Sequence, residues 1–320
     1  MNAARGAVRS RVGSVLAMVL SLASCATVMP KCELAVPGKQ SASTVSCGST
    51  AAPPPNYQHI VVIMEENRTW STVGGVGFRD PDMPYMRSLA KGCTTFTKWT
   101  ETNTSQSSLT QYVGLTTGVD NHATVDDCAP SASCRSTDDN VFRQVRSAGG
   151  SARNYVEGAT TGCSAKGNSA KHVPALYMYG TYRTGVDAHD DHSFCAAEVR
   201  PLTELDVGHL PTFALITPSA RHDGHDCGNA TVDAFASSLL SKILESPTYK
   251  AGGTAVMVLY DEDSPVPNLI IAPTAVAGAV ATARAGHASM LRTWEEMLGL
   301  PVMRQGQLIG AISLRGPAHI

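Results

Sequence analysis

Three short apolar runs constrain this chain more than anything else in it: IVVIM at 60–64, TFALIT at 212–217 and TAVMVLY at 254–260. Runs without polar alternation are what strands covered on both faces need. Amphipathic patterns at 232–244 and 288–298 predict helices, and interleaving of this kind implies helices that cross over between parallel strands. The expected class is α/β with a mainly parallel central sheet. Further strands are predicted at 94–100, 152–156 and 268–272. Further helices are predicted at 83–91, closed by Gly92, and at 141–148, closed by Gly149 and Gly150. Leu109, Tyr112, Val113 and Thr116 share one more helical face, with Ser107 and Ser108 at its N-cap position.

The residues just past each apolar run matter as much as the run. The first ends in Glu65, Glu66 and Asn67, and the third in Asp261, Glu262 and Asp263. The second leads into His222, Asp223, His225 and Asp226. Open α/β sheets bind ligands at the carboxyl ends of their strands, and carboxylate and amide oxygens suit a hard divalent cation. Strand ends of this kind read as one site on the C-terminal edge of the sheet. A hydroxyl at a helix N-terminus is well placed to attack phosphorus, because the end amides and dipole favour an anion; a serine there also serves simply as a cap. The polar stretch 158–200, with its His-rich run at 187–192, reads as a substrate-side excursion held by Cys163 and Cys195. His189 and His192 in it suggest no specific ligand.

The N-terminus reads as a targeting segment. Arg5, Arg9 and Arg11 precede an apolar stretch at 12–23 that is too short to span a bilayer. It ends in L-A-S-C, resembling a lipoprotein signal in which Cys25 is lipid-modified and becomes the new N-terminus. Cleavage near Ser24 or Ala26 would instead release the protein, and both outcomes mean export. The expected organisation is a signal at 1–25, a Ser/Thr/Pro-rich tether at 26–56 and a single folded domain at 57–320. Of the nine cysteines, those other than Cys25 form an even set that reads as disulfides. Loop proximity pairs Cys32 with Cys47, Cys128 with Cys134 and Cys163 with Cys195, leaving Cys93 for Cys227. A net charge of −2 gives no basic face for nucleic acid. Membrane contact is expected only through the lipid anchor.

Taken in order, these segments resemble the bacterial phosphoesterase family that contains phospholipases C and secreted acid phosphatases, within the alkaline-phosphatase-like superfamily. H-I-V-V-I-M-E-E-N-R, from His59, resembles its opening strand with the E-E-N-R/S signature. S-L-T-Q-Y-V-G-L-T-T-G, from Ser108, is similar to S-x-P-N-Y-L-A-L-x-x-G. L-I-T-P-S-A-R-H-D-G-H-D, from Leu215, resembles I-x-P-N-x-x-x-D-x-H-D, and V-L-Y-D-E-D, from Val258, resembles T-W-D-E-D. H-A-S-M-L-R-T-W-E-E-M-L-G-L-P, from His287, closes the set.

The resemblance implies a three-layer α/β/α sandwich and an exported metal-dependent phosphoric-ester hydrolase, an acid-phosphatase-type monoesterase first. The alternatives are a phospholipase C-type phosphodiesterase and a catalytically weak lipoprotein that binds a phospho-ligand. It implies that Glu66, Asn67, Asp261 and Glu262 hold a divalent metal ion and that Ser108 is the nucleophile. His225, His287 and Asp223 would complete the catalytic set opposite, and His172 and Asp226 would bind substrate. There are departures: Gln106 and Gln111 stand where the family has His and Asn, and Ser107 and Thr110 where it has prolines. Ser107 and Thr104 stay open as nucleophiles, and Arg68 is left between a structural role and phosphate steering.

Overall fold

The computed structural model describes residues 32, 47–104, 107–124, 126–178 and 192–320; Cys25, Gln106 and His189 lie outside them. The strands are β1 (His59–Glu65), β2 (Thr95–Thr100), β3 (Ala152–Val156), β4 (Val199–Pro201), β5 (Phe213–Thr217), β6 (Thr254–Tyr260), β7 (Asn268–Ile271) and β8 (Val280–Gly286). The helices are α1 (Pro84–Gly92), α2 (Ser108–Thr117), α3 (Val141–Ser147), α4 (Ala175–Met178), α5 (Cys195–Glu198), α6 (Asn229–Glu245), α7 (Pro247–Lys250), α8 (His287–Met297) and α9 (Arg315–Ala318).

The main sheet has the order β4-β3-β5-β1-β6-β7 and is parallel except for β7, which runs antiparallel to β6. The three apolar runs are its centre, β5-β1-β6, and every residue of β5 and β6 is buried. Each fully buried Val, Ile or Met side chain there contributes about 1.5–3 kcal/mol.

In-register residues of parallel strands share a face, and neighbours along a strand alternate. Phe213 pairs with Ile60 and meets Phe142 of α3 and Trp294 of α8 at ring distances of 5.6 and 5.2 Å. That face is covered by α3 and α8, with α2 packed on α8. Glu65 and Tyr260 pair on the opposite face, where Tyr260 lies 6.4 Å from Phe78 and α1 packs on α6. The result is a three-layer arrangement. Asp233 of α6 ties its layer together by accepting from the Tyr85 and Met86 amides, 3.0 and 2.8 Å away, at the start of α1.

A parallel pair, β2 and β8, forms a second small sheet. Buried Asn268 joins it to the first: its Oδ1 accepts from Phe96 N at 2.8 Å and its Nδ2 donates to Phe96 O at 2.8 Å. Asn268→Ala leaves both backbone groups unpaired in the interior and should cost about 3 kcal/mol in urea unfolding. A loss within experimental error would contradict this bridging role.

The disulfides join Cys128 to Cys134 and Cys163 to Cys195, as expected, but also Cys32 to Cys227 and Cys47 to Cys93. The expected pairs Cys32 with Cys47 and Cys93 with Cys227 are corrected. Position in the fold decides these pairs, and closing a longer loop adds little entropy cost. Thr50 donates to Pro273 O beyond β7, and Thr94 bridges Ile270, so Cys47 and Cys93 meet at the same sheet edge. The stretch read as a tether is therefore fastened to the domain at Cys32 and Cys47. No helix among the described residues is long and apolar enough to cross a membrane.

Candidate active site

The ends of β1, β5 and β6 are stitched together by main-chain bonds. Glu66 N donates to Asp223 O at 2.7 Å, and Asp261 N donates to Glu65 O at 3.1 Å. Asn67 adopts a left-handed conformation (φ 49°), which Asn tolerates, and its N–H donates to Asp261 Oδ1 at 3.0 Å. Gly224 is required next to Asp223: its φ is 108°, and a Cβ there would lie 2.9 Å from Glu66 O. Arg68 donates to Asn67 O, Cys227 O and Asn229 Oδ1 at 2.9, 2.8 and 3.0 Å. Its guanidinium is engaged by protein acceptors, so it is a structural clamp.

Glu65 points to the α1/α6 layer, while Glu66 meets the start of α2. Ser108 Oγ donates to Glu66 Oε2 at 3.0 Å, and Ser108 is only 2% exposed. Ser107 Oγ instead donates to Asp127 Oδ1 at 2.9 Å and Thr124 O at 3.1 Å. The capping of α2 comes from a distance: Asp127 Oδ1 also accepts from Leu109 N at 3.0 Å. Lys171 Nζ donates to Ser108 Oγ at 3.3 Å and to Asp127 Oδ2 at 3.1 Å. Gln111 Oε1 accepts from Thr102 N at 2.8 Å and its Nε2 donates to Asn103 O at 2.9 Å, fixing the loop before α2. Thr104 is exposed.

His172 is fully buried, stacked on Tyr112 at 5.5 Å, with Nε2 3.3 Å from Glu66 Oε1 and Nδ1 3.4 Å from Asp223 Oδ2. Burial, helped by the Lys171 charge, pushes its pKa down to about 3. His225 is partly exposed, its ring 6.0 Å from that of His172; its Nδ1 faces Asp226 Oδ1 at 2.8 Å and its main-chain N–H donates to Asp223 Oδ1 at 2.8 Å. Asp226 is exposed at the outside of this group. His287 is buried and directed elsewhere, with Nε2 3.1 Å from Tyr260 O and Nδ1 3.3 Å from Thr102 Oγ1. Burial lowers its pKa to about 4. The structure thus brings Glu66, Asn67, Ser108, His172, Asp223, His225 and Asp261 together, with Glu262 within electrostatic reach of Asp261, while His287 bonds outside the group to Tyr260 O and Thr102 Oγ1. Sequence reasoning missed Lys171, although it adjoins His172 in K-H-V-P, and missed Asp127, which no local signal marks.

Burial raises the carboxyls first; neighbouring carboxylates then raise Asp223, Glu262 and Glu66 further, whereas hydrogen bonds at Asp261, the Asn67 N–H foremost, work against burial. Asp261 is pushed to about 6, and Asp223 and Glu262 to about 8. Glu66 is held well above the carboxylate range by burial and by Asp261 and Asp223. Among the described residues no three His, Cys, Asp or Glu side chains already converge in metal-ligating geometry. The fit of a cation rests on the donors themselves: Glu66 Oε1, Asp261 Oδ2 and Glu262 Oε2 are all buried without a hydrogen-bond partner. Buried orphan carboxylate oxygens are what a hard divalent ion takes up.

These shifts impose a pH dependence. A carboxyl with a raised folded pKa stabilises the fold below its unfolded value and loses that contribution as pH rises through the folded value. The lowered histidines work in the opposite sense, losing stability as pH falls from about 6.5. Between about pH 6.5 and 8 Asp223 and Glu262 are losing this contribution. Chelator-treated protein should therefore melt at falling temperature across that window, and an added divalent ion should flatten the fall. A flat profile in chelator would contradict the cluster's electrostatics.

Comparison with known proteins bears on the family and the fold. The Phosphoesterase family matches residues 73–265, more than half of the chain. The phosphatidylinositol-3-phosphatase of Mycobacterium tuberculosis (strain ATCC 25618 / H37Rv) is 27% identical over 265 residues, covering 79% of this chain and 81% of that protein. A protein of the alkaline phosphatase superfamily from Vibrio parahaemolyticus superposes with a TM-score of 0.51 at 15% identity, over 85% of this chain and 74% of that one. The 2-O GAG sulfatase BT1596 superposes with a TM-score of 0.53 at 11% identity, over 82% and 74%. At these identities the structural likeness is one of fold. By this family match over more than half of its length, the chain belongs to the Phosphoesterase family and is a hydrolase of phosphoric ester bonds.

Proposed function

We propose that the chain is an exported, metal-dependent phosphomonoesterase of acid-phosphatase type that works through a phosphoseryl intermediate on Ser108. The observation that carries this reading is the bond from buried Ser108 Oγ to Glu66 Oε2, in a set of carboxyls where the Asp261 charge acts on Glu66 and Glu262 and each of the three has an unpartnered oxygen. Glu66, Asn67, Asp261 and Glu262 would hold a divalent ion, which when bound would favour the serine alkoxide and offset phosphoryl charge.

The remaining steps belong to the chain's own residues. Ser108 Oγ forms a bond to phosphorus as the bond to the leaving oxygen breaks, and its proton passes to Glu66 Oε2. His225, partly open to solvent and oriented by Asp226, protonates the leaving oxygen. His172, with one ring nitrogen facing Glu66 Oε1 and the other facing Asp223 Oδ2, stays neutral and positions those two carboxyls beneath the substrate phosphoryl group. His287 acts as a positioning residue under Asp261 through Tyr260 O. Water then cleaves the phosphoserine and restores the hydroxyl.

The burial of Ser108 favours a monoester, since a terminal phosphoryl group can reach a buried hydroxyl end-on, whereas a diester must fit substituents on both sides. The name of the mycobacterial relative, a phosphatase, points the same way. Four disulfides suit an oxidising compartment, and a lipid on Cys25 would add an anchor. The test is a panel of an aryl phosphate, an aryl phosphodiester and phosphatidylcholine, each with added divalent ion and with chelator. Monoester turnover lost in chelator is expected; diester turnover that equals or exceeds it would overturn the monoesterase assignment.

A further inference from the structure

Lys171 sits in a short helical turn, Ala170–His172, with its side chain 21% exposed. Its ammonium lies between Ser108 Oγ at 3.3 Å and Asp127 Oδ2 at 3.1 Å. Because the Ser108 hydroxyl donates to Glu66, the bond from Lys171 falls on an oxygen lone pair. One proton direction and one lone pair are thereby fixed, and the second lone pair is left for phosphorus. Asp127 is itself held in place. Its Oδ1 accepts from Leu109 N and Ser107 Oγ, and the next residue, Cys128, is tied by its disulfide to Cys134. Ser107 is linked on to Thr110, and Thr110 to Thr124, by hydroxyl bonds of 3.4 and 3.2 Å. This network runs from the helix start to the ammonium.

We propose that Lys171 is a catalytic residue that orients the Ser108 oxygen and stabilises the charge developing on it, and that Asp127 is its positioning residue. The proposal rests on the reading of Ser108 as nucleophile. An ammonium has no lone pair with which to take the serine proton, so Lys171 is not the base. As that proton passes to Glu66 Oε2 and the Oγ–P bond forms while the P–O bond to the leaving group breaks, negative charge passes across Oγ and onto the phosphoryl oxygens. A cation already within hydrogen-bond reach stabilises that state more than the neutral hydroxyl.

The experiment uses the full chain with an aryl phosphate and added divalent ion. Lys171→Ala should lower kcat by about 10²–10³-fold with a much smaller change in KM, and the melting temperature should hold within a few degrees. Ethylammonium should restore part of that loss, whereas tetramethylammonium, which has no N–H, should restore none at equal ionic strength. Asp127→Asn should cost less, about tenfold, and should add little to Lys171→Ala because both act through one contact. Wild-type kcat in Lys171→Ala, equal rescue by both cations, or fully additive losses would each overturn the proposal. Should Lys171→Ala fail to fold, Lys171→Met keeps the aliphatic stem and takes its place for the kcat and additivity readouts. The parent reading fails separately: turnover by Ser108→Ala sinks the nucleophile, whereas an inactive Ser108→Ala beside a fully active Lys171→Ala sinks only the role of Lys171.

Discussion

Ser108→Ala is expected to reduce aryl phosphate turnover at least about 10³-fold, the scale on which nucleophile removal acts. The fold should survive. The one bond the hydroxyl donates goes to Glu66 Oε2, and deleting a single buried hydroxyl bond costs about 1 kcal/mol. Ser107→Ala provides the contrast. That hydroxyl bonds Asp127 and Thr124 within the cap network, so its loss should loosen the start of α2 and slow turnover without abolishing it. Steady-state kinetics with melting curves on both variants distinguishes the two serines. Equal activity of Ser108→Ala and wild type would rule out the assignment.

Asp261→Asn is expected to act with opposite signs in two conditions. Its Oδ1 accepts from Asn67 N, and an amide oxygen can keep that bond, so local geometry should persist. In chelator the substitution removes one of the mutually repelling buried carboxyls, which should raise the melting temperature. With divalent ion present it removes a charged ligand, so metal content, the stabilisation by metal and turnover should all fall, turnover by about 10²-fold or more. Elemental analysis and melting curves with and without chelator measure both halves. A variant that binds metal as wild type does would remove Asp261 from the ligand set.

The sheet was legible because its centre is written locally: β1, β5 and β6 are continuous apolar runs, and their ends carry the acidic residues. Helix boundaries shifted by a few residues, as for α6, which starts at Asn229 rather than at 232, because polar first turns carry little periodicity. Contacts between distant segments were not legible. Nothing near Cys32 in the sequence points to Cys227, and nothing near Asp127 announces that it caps α2 and holds Lys171. His287 shows the opposite error. Its sequence context placed it in the reacting group, whereas the fold turns both of its nitrogens to Tyr260 O and Thr102 Oγ1. A motif gives the order of residues along the chain, but side-chain direction depends on which layer each strand end faces. Glu65 and Glu66 are adjacent and chemically alike, yet only Glu66 reaches Ser108.

The phosphoserine intermediate can be trapped directly. The metal-loaded chain is mixed with an aryl phosphate, quenched in acid during the first turnover, digested and analysed by mass spectrometry. A phosphoseryl mechanism predicts one phosphoryl group on Ser108, formed at a rate at least equal to steady-state turnover and absent after chelation. A phosphoryl group on Ser107 or Thr104, or rapid turnover with none on the chain, would contradict it.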